Sequence, residues 1–187
     1  METPQTEENA APSLINHAAR FGAILGGISI AIVVIFYVVS LSFLGNWKFL
    51  VMVLCIGLGM VIYAGINFRN EGDGFLTYGK AFMHGFAVLA ISGLIGTFFN
   101  IILYHVVDTD LPQKMTDVII QNTEEMMTGF GAPQASIDQT VAGMRDEMPG
   151  NFTIGGLAYG YVKALIWYAV IALLTSLIVR KTQPVEM

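Results

Sequence analysis

Lys163 lies inside an apolar stretch from Leu157 to Val179, one turn before Trp167. A charge in such a run can relay protons or ions, or hold an anion, since lipid offers an ammonium no partner. It can also snorkel along its own alkyl stem to the headgroups, here beside Tyr159 and Tyr161. Ala164 to Val179 is 16 residues, about 24 Å of helix against a hydrocarbon core of about 30 Å. That length suits a snorkelling lysine with modest local thinning. His105 and Asp108 are three residues apart and would share a helix face. They close the preceding apolar run, so a Lys163–Asp108 contact would tie the two runs together. His84 and Asn100 lie within that run, and Lys80 opens it. His84 could titrate in a proton path or sit at the interface. Asn100 could bind a substrate or hydrogen-bond a neighbouring helix.

No arrangement of nucleophile and base appears. His84 and Ser92 are eight residues apart on one helix and point about 80° from each other. The four apolar runs contain no aspartate, which argues against an aspartyl intramembrane protease. Asp108-Thr109-Asp110 has the spacing of a metal-binding DxD, but no nucleotide-binding α/β pattern surrounds it. It reads as a helix stop followed by an N-cap. The Gly72-Asp73-Gly74 loop lacks phosphate-loop spacing. No catalytic, cofactor-binding or metal-ligating set is expected, and no cofactor is implied.

These residues must be held by membrane-spanning helices. Of 187 residues, 55% are hydrophobic and 12% charged, and the mean hydropathy is +0.64. Average soluble chains carry about 25% charged residues. The net charge of −5 argues against a nucleic-acid partner, because binding phosphates needs a basic surface. Cys55 is the single cysteine and reads as a small buried hydrophobe. The expected fold is all-α and integral to the membrane, with four spans at about 21–43, 49–68, 81–104 and 157–179. A polar tail, 1–19, becomes helical near Ser13, and its acidic character does not fit a secretory signal. A second tail covers 182–187. Residues 20–181 form one membrane domain.

The third span carries Ala81, Gly85, Val88, Ser92 and Gly96 on one face at a 100° step. Lipid tails are as apolar as Leu, so helices associate largely by close packing, and small residues permit it. Gly85, Ser92 and Gly96 are therefore helix-packing positions, either inside the bundle or toward a partner. Gly22 and Gly26 form a GxxxG in the first span.

Residues 105–152 hold eight acids and two bases, a net of −6. Two amphipathic helices are expected there. The first runs from about Pro112 to Thr128. The second starts near Ser136, with Gln139 placed for a capping box, and ends at Pro149-Gly150-Asn151. Ile137, Val141, Met144 and Met148 follow a helical stripe. With Met115 and Met126 they could form an adaptable partner groove, or simply lie on the bilayer or the twin helix. Four spans put both termini on one side. Arg20, Arg69, Lys80, Arg180 and Lys181 flank the spans there, against Lys48 and Lys163 opposite. The excess of positive charge predicts cytoplasmic termini and an outward-facing acidic hairpin.

Phe75-Leu76-Thr77-Tyr78-Gly79-Lys80-Ala81-Phe82 resembles the Phe/Tyr-Gly-Lys-Ala-Phe opening of the third helix in domain-of-unknown-function family 4199. The similarity continues through the exit at Asp108-Thr109-Asp110, the amphipathic loop and a fourth helix ending in basic residues, about Arg20 to Lys181. Thr109 stands where many members have Pro. The resemblance implies a four-span protein of the bacterial inner membrane, mainly in Bacteroidota, with the acidic loop in the periplasm. It implies no activity. A structural or accessory role follows, with the acidic hairpin offered to a membrane-protein partner or a second copy. A small transporter or channel using Asn100, His84 and Lys163 is the alternative, and would place the three on one water-filled axis.

Overall fold

The structure is a computed structural model that describes residues 13–183. Positions 1–12 and 184–187 of the expected tails lie outside the described residues. Seven α-helices follow in order: α1 (Leu14–Val39), α2 (Leu41–Leu44), α3 (Trp47–Glu71), α4 (Tyr78–Ile102), α5 (Leu111–Gly129), α6 (Gln134–Asn151) and α7 (Ile154–Val179). α1, α3, α4 with its continuation to Val107, and α7 are long and apolar enough to cross a membrane. A run of this kind in lipid must satisfy every peptide N–H and C=O within itself, and a helix does so. The chain is thus an all-α, multi-pass membrane protein. Among the described residues the only extended pairing is a bridge between Leu76 and Lys181.

α4 is the central rod and packs on α1, α3 and α7. Ala81, Gly85, Val88 and Ser92 of its small-residue face are buried, whereas Gly96 is only half-buried. A Cβ on Gly85 would come within 3.2 Å of Val61, and one on Gly96 would meet nothing within 4 Å. The face therefore narrows into a packing seam over its first three turns only. α1 also approaches α4 closely. A Cβ on Gly22 would lie 2.9 Å from Ile91, and one on Gly26 would lie 3.0 Å from Ile95. The GxxxG of the first span is a groove that seats two isoleucines of α4. Gly65 of α3 receives Val179 of α7 in the same manner.

Several boundaries differ from the sequence expectation. The first span is interrupted at Ser40, whose extended backbone (φ −161°) separates α1 from α2. Its N–H still bonds to the Phe36 carbonyl at 2.8 Å, so the break leaves no orphan donor. α6 begins at Gln134 after Pro133, with no capping box from Ser136. Pro133 fixes an extended approach and makes the earlier start possible. Pro149 lies within α6, which ends at Asn151 as expected. It sits in the last turn, and Phe152 and Thr153 then bond to the Pro149 and Gly150 carbonyls, each at 3.3 Å. Thr153 closes the corner, accepting the Gly156 N–H at 3.0 Å while donating to the Gly150 carbonyl at 2.7 Å.

The hairpin of α5 and α6 is docked onto one end of the bundle. Leu103, Leu111, Met115 and Phe152 form a buried cluster with Val33, Tyr37, Leu41, Leu44, Phe99 and Met148 around it. Ile137 is buried, and Val141, Met144 and Met148 are half-buried. The methionine stripe is therefore mostly covered within the chain, although Met126 remains exposed. At the other end, Leu76 and Lys181 exchange two backbone hydrogen bonds of 2.9 Å. Arg69 donates to the Val179 carbonyl at 3.0 Å, satisfying an acceptor that α7 leaves open at its C-terminus.

Overpacking the α1–α4 groove should be costly. Gly22→Leu is expected to lose about 1–3 kcal/mol of stability, read as a lower midpoint in detergent-solubilised unfolding. Gly27→Leu, at a position where a Cβ meets nothing within 4 Å, should change the midpoint little.

Candidate functional site

Two polar clusters remain once the packing is described, one at each end of the bundle. The first lies at the end carrying the chain termini. His17 enters from the first turn of α1, where Ser13 accepts the Asn16 N–H at 3.2 Å. His84 enters from the second turn of α4. Asn67 and Glu71 come from the last turns of α3. His17 Nδ1 and His84 Nε2 are 2.8 Å apart, and His17 Nε2 is 3.0 Å from Asn67 Oδ1. The Glu71 carboxylate lies 3.6 Å from the same His17 Nε2. Phe68 stacks on His84 with centroids 4.8 Å apart, and Phe21 stacks on His17 at 4.7 Å. His84 is fully buried and His17 is 4% exposed. Among the described residues His84 Nδ1 has no hydrogen-bond partner.

His84 is therefore buried within the bundle. Its pairing was not anticipated because His17 belongs to the stretch read as a tail. A signal was available: His17, Phe21 and Leu25 recur every four residues, which puts His17 on the buried stripe of α1. Asn67 and Glu71 carried no such signal. Nothing in the sequence separates an amide that meets an imidazole from one that meets water.

The second cluster lies where α4 meets the hairpin. Leu103–Val107 wind as a π-turn, closed by a 2.9 Å bond from the Asp108 N–H to the Leu103 carbonyl. The wider turn alters the helical step, so His105 and Asp108 do not share a face as their spacing predicted. His105 is exposed and its Nδ1 lies 3.1 Å from the Ile101 carbonyl. Asp108, in extended conformation, accepts from Lys114 at 3.1 Å, from the Tyr37 hydroxyl at 3.0 Å and from the Asp110 N–H at 3.1 Å. Asp110 occupies the N-cap position of α5 without a side-chain bond to the helix. The local turn is thus made by the first aspartate of the triplet. Asp108 joins α1, α4 and α5 at one carboxylate. The Lys114 ammonium, then the Tyr37 hydroxyl and the Asp110 amide, hold its carboxyl below the ordinary value against the effect of partial burial. The bond to Asp108 raises Lys114 in turn.

The remaining candidates are dispersed. Lys163 does not reach Asp108. It is exposed on α7, with its ammonium 4.4 Å from the centre of the Tyr159 ring, a cation–π contact. Tyr161 turns inward and donates to the Ala90 carbonyl at 3.0 Å. Asn100 is half-buried, sixteen residues along α4 from His84, about 24 Å away by helical rise. Lys80 is exposed. Among the described residues no group of three His, Cys, Asp or Glu side chains is placed to hold a metal ion.

The Asp108 clasp makes a pH prediction. A carboxyl whose folded-state pKa is depressed stabilises the fold above its unfolded pKa, and that contribution is lost as pH falls through the depressed folded value. Acidification through and below the ordinary carboxylate range should therefore lower the wild-type melting midpoint. Asp108→Asn should start lower at neutral pH and show a shallower acid dependence in the same melting series.

No curated protein and no solved structure matches this chain. A family described as "Protein of unknown function (DUF4199)" matches residues 20–181, which takes in both polar clusters except His17. The match covers most of the chain, and the protein belongs to the DUF4199 family.

Proposed function

We propose that this is a non-enzymatic accessory protein of a bacterial inner membrane, with both termini in the cytoplasm and the α5–α6 hairpin in the periplasm. Its role is to present the hairpin's acidic surface to a membrane-protein partner or to a second copy. The observation that carries this reading is how the hairpin is held. Leu111, Met115 and Phe152 anchor it in a shared core with the bundle, and Asn122 donates to the Ser42 carbonyl at 3.0 Å. Asp117, Glu124, Glu125, Asp138, Asp146 and Glu147 are all exposed. An acidic surface fixed on a buried apolar base suits electrostatic recognition, which steers encounter and sets register.

The transporter reading needs His84, Asn100 and Lys163 along one wet axis. Their dispersal favours the accessory role. His84 is buried against His17, Lys163 lies exposed over Tyr159, and Asn100 is more than a dozen residues from His84 along α4.

Crosslinking in native membranes followed by affinity purification tests the role. A stoichiometric partner should be captured by the wild type and reduced at least tenfold by Glu124→Lys, Glu125→Lys, Asp146→Lys and Glu147→Lys combined. Capture unaffected by that reversal, or proteoliposome flux abolished by Asn100→Leu in a folded protein, would overturn the reading. Reporter fusions within 105–152 should mark the side opposite to fusions at the termini.

A further inference from the structure

The two buried imidazoles have a proton count set by their surroundings. His17 Nε2 faces two acceptors, Asn67 Oδ1 at 3.0 Å and the Glu71 carboxylate at 3.6 Å. It must carry a hydrogen there, or three acceptors would confront one another. The 2.8 Å separation of His17 Nδ1 and His84 Nε2 has room for one hydrogen between them. Four ring nitrogens thus hold two protons when the pair is neutral. The fourth nitrogen, His84 Nδ1, is left bare in the core, where no described group bonds to it.

We infer that the His17–His84 pair is a binding site for a single proton, shared between α1 and α4. The third proton can reside only at His84 Nδ1, since the other three positions are filled. The shared hydrogen moves between the rings, so the positive charge spreads over both. Glu71 balances it at 3.6 Å. Its side chain is 41% exposed, while His17 is 2% exposed at the side chain. A fourth proton would set two N–H groups against each other across 2.8 Å and separate α1 from α4. The site therefore takes up one proton with the fold intact and rejects a second.

The other charged groups near this end are engaged or turned away. On α1, Arg20 lies over the Phe21 ring at 6.0 Å. On α3, Arg69 is bonded to the Val179 carbonyl. Lys80, one turn before His84 on α4, is exposed. In the loop Asp73 is exposed, and beyond α7 Arg180 is exposed and Lys181 lies over Phe75 at 5.6 Å. α7 contributes Thr175 and Ser176, whose hydroxyls both donate to the carbonyl of Ala172. Glu71 is the one carboxylate in reach of either ring among the described residues.

The test is imidazole 15N NMR on the full chain in lipid nanodiscs, with His105→Gln removing the third histidine. On acidification the two rings should change together in one step of one proton. A 15N–15N coupling across the His17–His84 bond should persist through that step. Glu71→Gln should weaken proton affinity about threefold to tenfold, the effect expected for a nearby, partly screened opposite charge. Three results would overturn the inference: separate full titrations of the two rings in a folded protein, no proton uptake at all, or a midpoint unmoved by Glu71→Gln.

Discussion

The fold depends on how closely α1 can approach α4. Burying apolar side chains gives little reason for two helices to leave lipid for each other, so association rests on close contact and on polar groups that lipid cannot satisfy. Gly22 and Gly26 supply the contact by seating Ile91 and Ile95. The His17–His84 bond supplies the polar link one turn further along. Both lie on the same two helices, and the stripe Ala18, Phe21, Leu25, Val88 and Leu89 fills the space around them. α3 and α7 then close on this pair, with Val61 against Gly85 and Val179 against Gly65.

The two ends of the bundle are built differently. At the terminus-bearing end the polar groups are imidazoles, an amide and a carboxylate, and they face inward. Backbone pairing of Leu76 with Lys181 and the Arg69 cap on α7 tie the connecting segments over them. At the hairpin end one partly buried carboxylate, Asp108, gathers a phenol, an ammonium and an amide. The π-turn before it is what aims Asp108 back at Tyr37. Such insertions are frequent at functional sites, and here the effect is to fasten the hairpin rather than to open a cavity. The acids beyond that clasp are exposed, so the hairpin surface carries charge over the apolar base of Leu111, Met115 and Phe152.

Much of the architecture was legible because lipid leaves few choices. Uncharged runs longer than twenty residues can only be helices there, and the Gly45-Asn46 turn and the glycines after Arg69 mark where they end. The small face of α4 was readable from its period, up to Ser92. Gly96 shows where period alone misleads, since whether a glycine touches anything depends on how far neighbouring helices have splayed. The polar sites were much less legible. Lys163 and Asp108 were matched by position along their helices, but Lys114 was nearer in the chain and the π-turn changed the facing. His17 was hidden because the polar tail was extended to residue 19, although the helix starts at Ser13 as expected. A polar side chain gains its meaning from a partner on another helix, and one-dimensional spacing does not name that partner.

The α1–α4 groove is the most direct place to test this account. In a Cys55→Ser background, Gly26→Cys with Ile95→Cys pairs positions whose Cβ atoms would stand about 3.1 Å apart, close to the disulfide range of about 3.5–4.5 Å. Mild oxidation in native membranes should crosslink this pair rapidly and leave Gly27→Cys with Ile95→Cys uncrosslinked. Equal crosslinking of both pairs, or of neither, would contradict the packing on which the rest is built.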